Sequence, residues 1–167
     1  MIHKKIDVPI AGGLNFPLQS MVRVEQKFSA PQIGDIKATI KNEFAKEAIR
    51  NKIKRGQKIA VGCGSRGIAN IAIITKSVIH ELISLGAEPF IFPCMGSHGA
   101  ASAEGQKEVL AGYGISEETM SVPVHATMAT EIVGHLEDGT PVHVDKNASH
   151  ADGIVVINRI KPHTAFR

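Results

Sequence analysis

The sequence predicts an α/β protein with an open, mostly parallel sheet, helices on both faces of the sheet and an added β-hairpin. Short apolar runs at residues 58–61, 88–94 and 154–157 have the length and composition of buried strands. The first two runs are each followed by a glycine-containing turn and then by a segment with helical periodicity. Repeated strand–turn–helix units of this kind are typical of Rossmann-like sheets.

The helices are predicted from apolar stripes and from their caps. Asp35 is a candidate N-cap for a helix that runs to about Lys54. A second helix is expected over residues 68–85, where apolar residues recur at helical spacing. Ser102 is a candidate N-cap for a third helix that ends near Ala111.

The last third of the chain predicts shorter elements. A short helix is expected to begin at residues 116–118, and residues 122–125 could form another strand. Residues 131–136 and 140–145 flank Asp138-Gly139, a strong signal for a two-residue hairpin turn. This hairpin is expected to lie beside the parallel sheet as an antiparallel flap.

Two regions are expected along the chain. Residues 1–34 form an N-terminal extension, in which the apolar alternation at residues 21–28 predicts a half-buried strand. Residues 35–167 form the α/β domain. This domain ends four residues after His163, where a crossover helix would follow the last strand, so we expect a truncated chain that self-associates and is inactive alone.

Composition narrows the class of function. The 167 residues carry a mild net charge of +3, and with no Trp and one Tyr they offer little surface for stacking nucleic-acid bases. No apolar run is long enough to span a membrane, and there is no signal peptide. Cys63 and Cys94 show no metal or disulfide spacing, and the commoner role for such a free thiol is that of a small buried hydrophobe. We expect a cytoplasmic protein that binds neither nucleic acid nor membrane and that forms homo-oligomers.

Polar and catalytic residue types follow all three apolar runs. The segments are Gly-Cys-Gly-Ser-Arg-Gly at residues 62–67, Met-Gly-Ser-His-Gly at residues 95–99 and Asn-Arg-Ile-Lys-Pro-His at residues 158–163. Because ligands of open parallel sheets bind outside the carboxyl ends of the strands, the three segments are expected to surround one crevice. The side chains placed there would be Ser65, Arg66, His98, Lys161 and His163.

The first segment predicts an anion site. Its glycines allow a ligand to approach the backbone, the helix N-terminus that follows attracts negative charge, and Arg66 adds a fixed positive charge. The spacing matches neither the dinucleotide-binding Gly-x-Gly-x-x-Gly pattern nor a phosphate-binding loop of the Walker type. An ordinary tight turn between strand and helix explains the segment equally well.

His98 and His163 are candidate general acids and bases. Imidazole titrates near neutral pH, and two histidines that face each other can take a proton from one face of a carbon and return it to the other. Pro162 would stiffen the loop that carries His163. An exposed loop histidine is the alternative at both positions. The other histidines are expected to be structural or exposed: His3, His80, His125, His135, His143 and His150.

Several of these segments together resemble the N-terminal domain of the nickel-dependent lactate racemase family. The resemblance rests on Gly-Ser-His at residues 96–98, Gly-Tyr-Gly-Ile at residues 112–115 and the run from Ala151 to His163, and it covers about residues 55–167. It implies an α/β domain from a racemase or epimerase that acts on a small 2-hydroxy acid. A nickel-pincer nucleotide would accept a hydride from the α-carbon of the substrate, and two histidines would exchange the hydroxyl proton.

The resemblance assigns roles residue by residue. His98 and His163 match the two catalytic histidines, and Arg66 matches an arginine of the cofactor loop. We therefore expect Ser65, Arg66, Gly67, Ser97 and Lys161 to bind the cofactor, and no residue of this chain to ligate the metal. In the family, the lysine that bears the cofactor and a histidine that ligates nickel lie beyond the position of Arg167.

The chain also departs from the family pattern. An acidic residue of the family is replaced at or next to Cys63, and Gly99-Ala100 follow His98 where the type enzyme has Arg-Pro. The substrate is therefore open. Two other functions remain: a nickel-independent isomerase or hydrolase that uses His98 and His163, and a nucleotide- or anion-binding module without catalysis.

Overall fold

The computed structural model describes residues 20–29, 31–65 and 67–160, and the chain divides into two compact units, Met1–Gln32 and Ile33–Arg167. In the first unit, residues 20–29 form neither helix nor strand. Met21 is 98% exposed and Phe28 is 75% exposed. The prediction of a half-buried strand at residues 21–28 is therefore wrong, because its apolar side chains face no core.

The second unit alternates strands and helices in the predicted order. In chain order the elements are α1 (Ile36–Ala45), α2 (Glu47–Arg50), β1 (Lys58–Cys63), α3 (Ile71–Ser84), β2 (Glu88–Pro93), α4 (Ala103–Gly112), α5 (Glu117–Met120), β3 (Thr130–His135), β4 (Pro141–Asp145), α6 (Lys146–Ser149) and β5 (Gly153–Ile157). A single turn of 3₁₀ type at Gly99–Ala101 precedes α4.

The sheet is parallel, with strand order β2-β1-β5 and β1 in the centre. Val61 lies opposite Ile91 on one neighbour and opposite Val155 on the other. The expected strand at residues 122–125 is reduced to one parallel bridge, in which Val124 pairs with Ile91 at the outer edge of β2. The three named strands run in the same direction, so their carboxyl ends lie at one edge, as the sequence predicts.

The two faces of the sheet are covered differently. The odd-numbered residues of β1 contribute to a core with side chains from α1, α3, α4 and α5, in which Leu82 and Leu110 are fully buried. On the other face, Ala60 and Phe92 pack with Ala148 of α6 and Val144 of β4. The α/β class with helices on both faces is confirmed, although the second face carries only the short α6 beside the hairpin.

The first predicted helix is divided. Asp35 caps α1 as expected, because its carboxylate accepts a hydrogen bond of 2.9 Å from the Ala38 N–H. Lys46 then leaves the helical conformation, with ψ of 134°, and separates α1 from α2. The single helix predicted to run to Lys54 is therefore wrong in length and continuity. Across this break Lys46 remains tied to Glu43 through its ammonium group at 2.6 Å.

The hairpin β3–β4 is confirmed, but its turn is not the predicted two-residue turn. The Leu136 N–H donates to the Thr140 carbonyl, and the Gly139 N–H donates back to the Leu136 carbonyl, so three residues form the loop. Gly139 has a φ of +84°, which is the left-handed conformation that follows a type I turn in three-residue hairpin loops. The Asp-Gly pair therefore marks the hairpin correctly but not its loop length. Across the described ranges, no helix is long and apolar enough to cross a bilayer.

Candidate active site at the carboxyl ends of the strands

The loop after β1 is packed against the end of β5. The Gly64 N–H donates to the Ile157 carbonyl at 3.0 Å, which extends the parallel pairing by one step. A Cβ atom at position 64 would lie 2.5 Å from the Asn158 side-chain oxygen, so only glycine allows the two segments to approach this closely. Ser65 follows directly and is half-buried.

Arg159 reaches this same loop from the end of β5. Its Nη1 donates to the Gly67 carbonyl at 3.3 Å, and a Cβ at position 67 would lie 2.7 Å from that nitrogen. A guanidinium group is therefore placed at the loop for which the sequence predicted an arginine. Arg66, the arginine that the sequence indicated, lies outside the described residues, and sequence reasoning missed Arg159 although it belongs to the third segment.

The loop after β2 carries His98 and follows an unusual path. Gly96, Gly99, Ala100 and Ala101 all have positive φ, at 60°, 64°, 54° and 51°. Two of these residues are alanines, and the left-handed region costs an alanine roughly 1–2 kcal/mol. The half-buried His98 therefore lies in a strained turn whose geometry other contacts must maintain.

Those contacts come from the start of α4. Ser102 caps the helix, since its hydroxyl accepts from the Gly105 N–H at 3.1 Å and donates to the Gly99 carbonyl at 3.0 Å. Gln106, only 4% exposed, donates its amide to the Gly96 carbonyl at 2.7 Å. These bonds satisfy polar groups on both sides of His98 and fix its backbone.

The two loops meet through a hydrogen bond between His98 and Ser65. His98 Nδ1 and Ser65 Oγ are 2.5 Å apart, and either atom can be the donor. Both residues line an open cavity of about 430 Å³, together with Gly99, Val109 and Tyr113. The carboxyl ends of β1 and β2 therefore place a hydroxyl and an imidazole on one cavity, where the sequence predicted them.

Sequence reasoning missed the wall of this cavity. Val109 and Tyr113 lie four residues apart at the end of α4, on one side of the helix. Their i, i+4 spacing was a usable signal once Ser102 was taken as the cap. Larger cavities of about 500 Å³ lie between α1 and α3 and beside the amino ends of β1 and β2, and neither is lined by a predicted site residue.

The remaining predicted residues divide into two groups. Gly67 and Ser97 lie in their loops and are exposed, and Ser97 does not line the cavity. Lys161 and His163 lie outside the described residues, so the meeting of His98 with His163 stays a prediction. Among the other histidines, Nε2 of His150 lies 3.2 Å from a Glu131 oxygen, and the ring of His125 packs on Phe90 at 5.1 Å.

The two cysteines begin the two loops from opposite faces of the sheet. Cys63 is buried in the core below α3, where burial raises the pKa of its thiol to about 11 despite a hydrogen bond with Thr75. Burial, with smaller contributions from Cys63 and Asp145, raises the pKa of the Cys94 thiol to about 12. Both side chains are therefore neutral thiols at physiological pH, which makes them poor nucleophiles and metal ligands.

A match to a protein family decides what this site belongs to. The sequence matches the family profile described as lactate racemase N-terminal domain over residues 14–166. The chain belongs to this family. No curated protein and no solved structure matches it. Family membership implies, at the coarse level, an isomerase of the lactate racemase type, and the described strand-end loops hold the residues that the resemblance assigned to chemistry.

Proposed function

We propose that this racemase-family domain supplies a proton-transferring histidine and an anion-binding loop to a 2-hydroxy acid racemase or epimerase. The observation that carries the proposal is the junction of His98 and Ser65 at the carboxyl ends of two neighbouring parallel strands. Ligands of open α/β sheets bind at this edge, and imidazole is the side chain best suited to exchange protons near neutral pH.

The described residues fit the anionic part of the nickel-pincer nucleotide that the family implies. The Arg159 guanidinium lies at the Gly67 carbonyl, and the residues that line the cavity include no carboxylate that would repel a phosphate. Arg159, Ser65 and the backbone near Gly67 would hold the phosphate group. Within the described part of the chain, no three histidine, cysteine or acidic side chains form a metal-binding group.

When bound, the nickel-pincer nucleotide would supply an acceptor for the hydride of the substrate's α-carbon. His98 would take the proton of the neighbouring hydroxyl group and return it when the product forms. His163 would do the same from the other face of the substrate. The positive charge of Arg159 near the site would favour ligands with phosphate or carboxylate groups.

Replacement of His98 tests the catalytic part of the proposal. In the cofactor-loaded enzyme, His98→Ala is expected to slow interconversion of the two enantiomers about 10²–10⁴-fold in both directions, because one general acid/base is lost. Polarimetry with a panel of 2-hydroxy acids measures the rate. His80→Ala is the matched control, since His80 lies exposed on α3 beside Glu81. Wild-type rates in the His98 variant would remove His98 from the mechanism.

Replacement of Arg159 tests the anion-binding part. Arg159→Ala is expected to weaken binding of the nucleotide about tenfold or more, because one charge-assisted hydrogen bond to a phosphate is lost. Arg50→Ala, at the end of α2, is the control for the loss of one positive charge. Equal affinity in all three proteins, measured by calorimetry, would contradict the phosphate role. Nucleotide binding without turnover of any 2-hydroxy acid would favour a binding module instead.

A further inference from the structure

The bond between Ser65 and His98 fixes a different part of the histidine from the contacts made by α4. Gln106 and Ser102 bond the carbonyls of Gly96 and Gly99, and these contacts hold only the backbone on either side of His98. The imidazole ring can still rotate about its own side-chain bonds. Ser65, which comes from the end of another strand, bonds the ring itself at Nδ1.

The chemistry of a hydroxyl partner determines which nitrogen exchanges protons. A serine hydroxyl can both accept and donate a hydrogen bond. If Nδ1 carries hydrogen and donates to Ser65 Oγ, the bond persists whether the ring is neutral or protonated. If Ser65 donates to a bare Nδ1, protonation of that atom breaks the bond. Only the first arrangement leaves the ring in place throughout a cycle of proton gain and loss.

We propose that Ser65 is a positioning residue for His98: it accepts a hydrogen bond from Nδ1–H, fixes that tautomer and assigns proton exchange to Nε2. Ser65 then acts through His98, whereas the resemblance assigned it to the cofactor. The proposal rests on the proposed function for the role of the proton. Its structural part concerns this chain alone and is tested without cofactor. Orienting partners of this kind are a general feature of histidine bases.

The first test measures the tautomer of His98 by ¹⁵N NMR of the cofactor-free chain at a pH where the ring is neutral. In the wild type, the Nδ1–H form is expected to predominate for His98. In Ser65→Ala it is expected to give way to a mixture of tautomers, and Ser65→Thr is expected to restore it. His80, whose Nδ1 lies 3.4 Å from a Glu81 oxygen, serves as the internal control because its signals should not change.

The controls separate positioning from folding. Ser84→Ala removes a hydroxyl that bonds only the Glu81 carbonyl on α3, so it should leave the His98 signals unchanged. Far-ultraviolet circular dichroism checks that each variant is folded. A predominant Nε2–H tautomer in the wild type, or an unchanged tautomer in folded Ser65→Ala, would overturn the proposal.

The second test separates a positioning role from cofactor binding. In the loaded enzyme, Ser65→Ala is expected to lower kcat about tenfold with little change in KM or cofactor affinity, and Ser65→Thr to recover most of the rate. A loss of cofactor affinity with an unchanged kcat at saturation would overturn the positioning role. If the NMR results hold but the loaded enzyme racemises no 2-hydroxy acid, the proposed function fails while the fixed tautomer stands.

Discussion

The two loops that meet at Ser65 and His98 are held in place by different kinds of contact. The loop after β1 depends on distant residues, since Arg159 bonds Gly67 across 92 positions of sequence. The loop after β2 depends on the helix that follows it, because Gln106 bonds Gly96 only ten positions away. The geometry of the second loop is therefore encoded locally, whereas that of the first requires the sheet to be complete.

The difference has an energetic counterpart. Left-handed conformations at Ala100 and Ala101 cost roughly 1–2 kcal/mol each. The cap from Ser102 contributes about 1 kcal/mol, and the Gln106 amide prevents a further loss by satisfying a carbonyl of the loop. Strain and local support nearly balance, so the second loop should respond strongly to changes at its contact with α4.

The largest expected effect follows from a side chain at Gly105. A Cβ there would lie 2.1 Å from the Gly99 carbonyl oxygen, a clash of backbone against side chain that neither segment can relieve by rotation. Gly105→Ala is expected to lower the free energy of unfolding by about 3 kcal/mol or more, as for strong overpacking. Urea denaturation measures it. Gly112→Ala, with open space around the new Cβ at the end of the same helix, should be neutral or stabilising.

The next effect concerns pH and the buried thiol that begins the first loop. The pKa of Cys63 is raised in the folded protein to about 11 from 9.0, so the unfolded chain ionises first. Stability from this group is full below pH 9 and is lost as the pH rises toward 11, by roughly 2–3 kcal/mol. The difference in unfolding free energy between wild type and Cys63→Ala at pH 7 and pH 10.5 isolates the effect. A difference that is the same at both pH values would contradict it.

A smaller gain is expected from relief of strain in the second loop. Ala100→Gly should raise the free energy of unfolding by about 0.5–1 kcal/mol, since glycine adopts positive φ freely but also gains entropy in the unfolded chain. Ala103→Gly, in the first turn of α4, should lower it by a similar amount. If both substitutions destabilise the protein equally, Ala100 is not strained and the contrast between the loops is weaker than stated.

The sequence predicted those features of the fold that depend on local chemistry. Asp35, Ser102 and Ser116 each cap a helix as their positions indicated, because a capping side chain bonds an N–H only two or three residues away. The break at Lys46 and the three-residue hairpin loop were not predicted. Nothing in a lysine signals a helix end, and the Asp-Gly pair is compatible with both loop lengths.

The site was predicted in outline for a similar reason. The carboxyl ends of parallel strands lie at one edge, so apolar runs that end in Ser65 and His98 predicted a shared location. The bond between the two residues was not predicted, since it depends on the register of β1 and β2. Arg159 was missed because its contact with Gly67 depends on the pairing of β5 with β1, which no local pattern reveals.

The pairing of β5 with β1 also has a consequence for the order of folding. The Lys58 N–H donates to the Asp152 carboxylate across 94 residues, whereas β1 and β2 are joined by one helix. Closing the longer loop costs more chain entropy and slows the search for native contacts. We therefore expect β5 to dock after β1, α3 and β2 have assembled. On a nascent chain leaving the ribosome, His98 would acquire its local supports first, and the guanidinium of Arg159 would reach the neighbouring loop last.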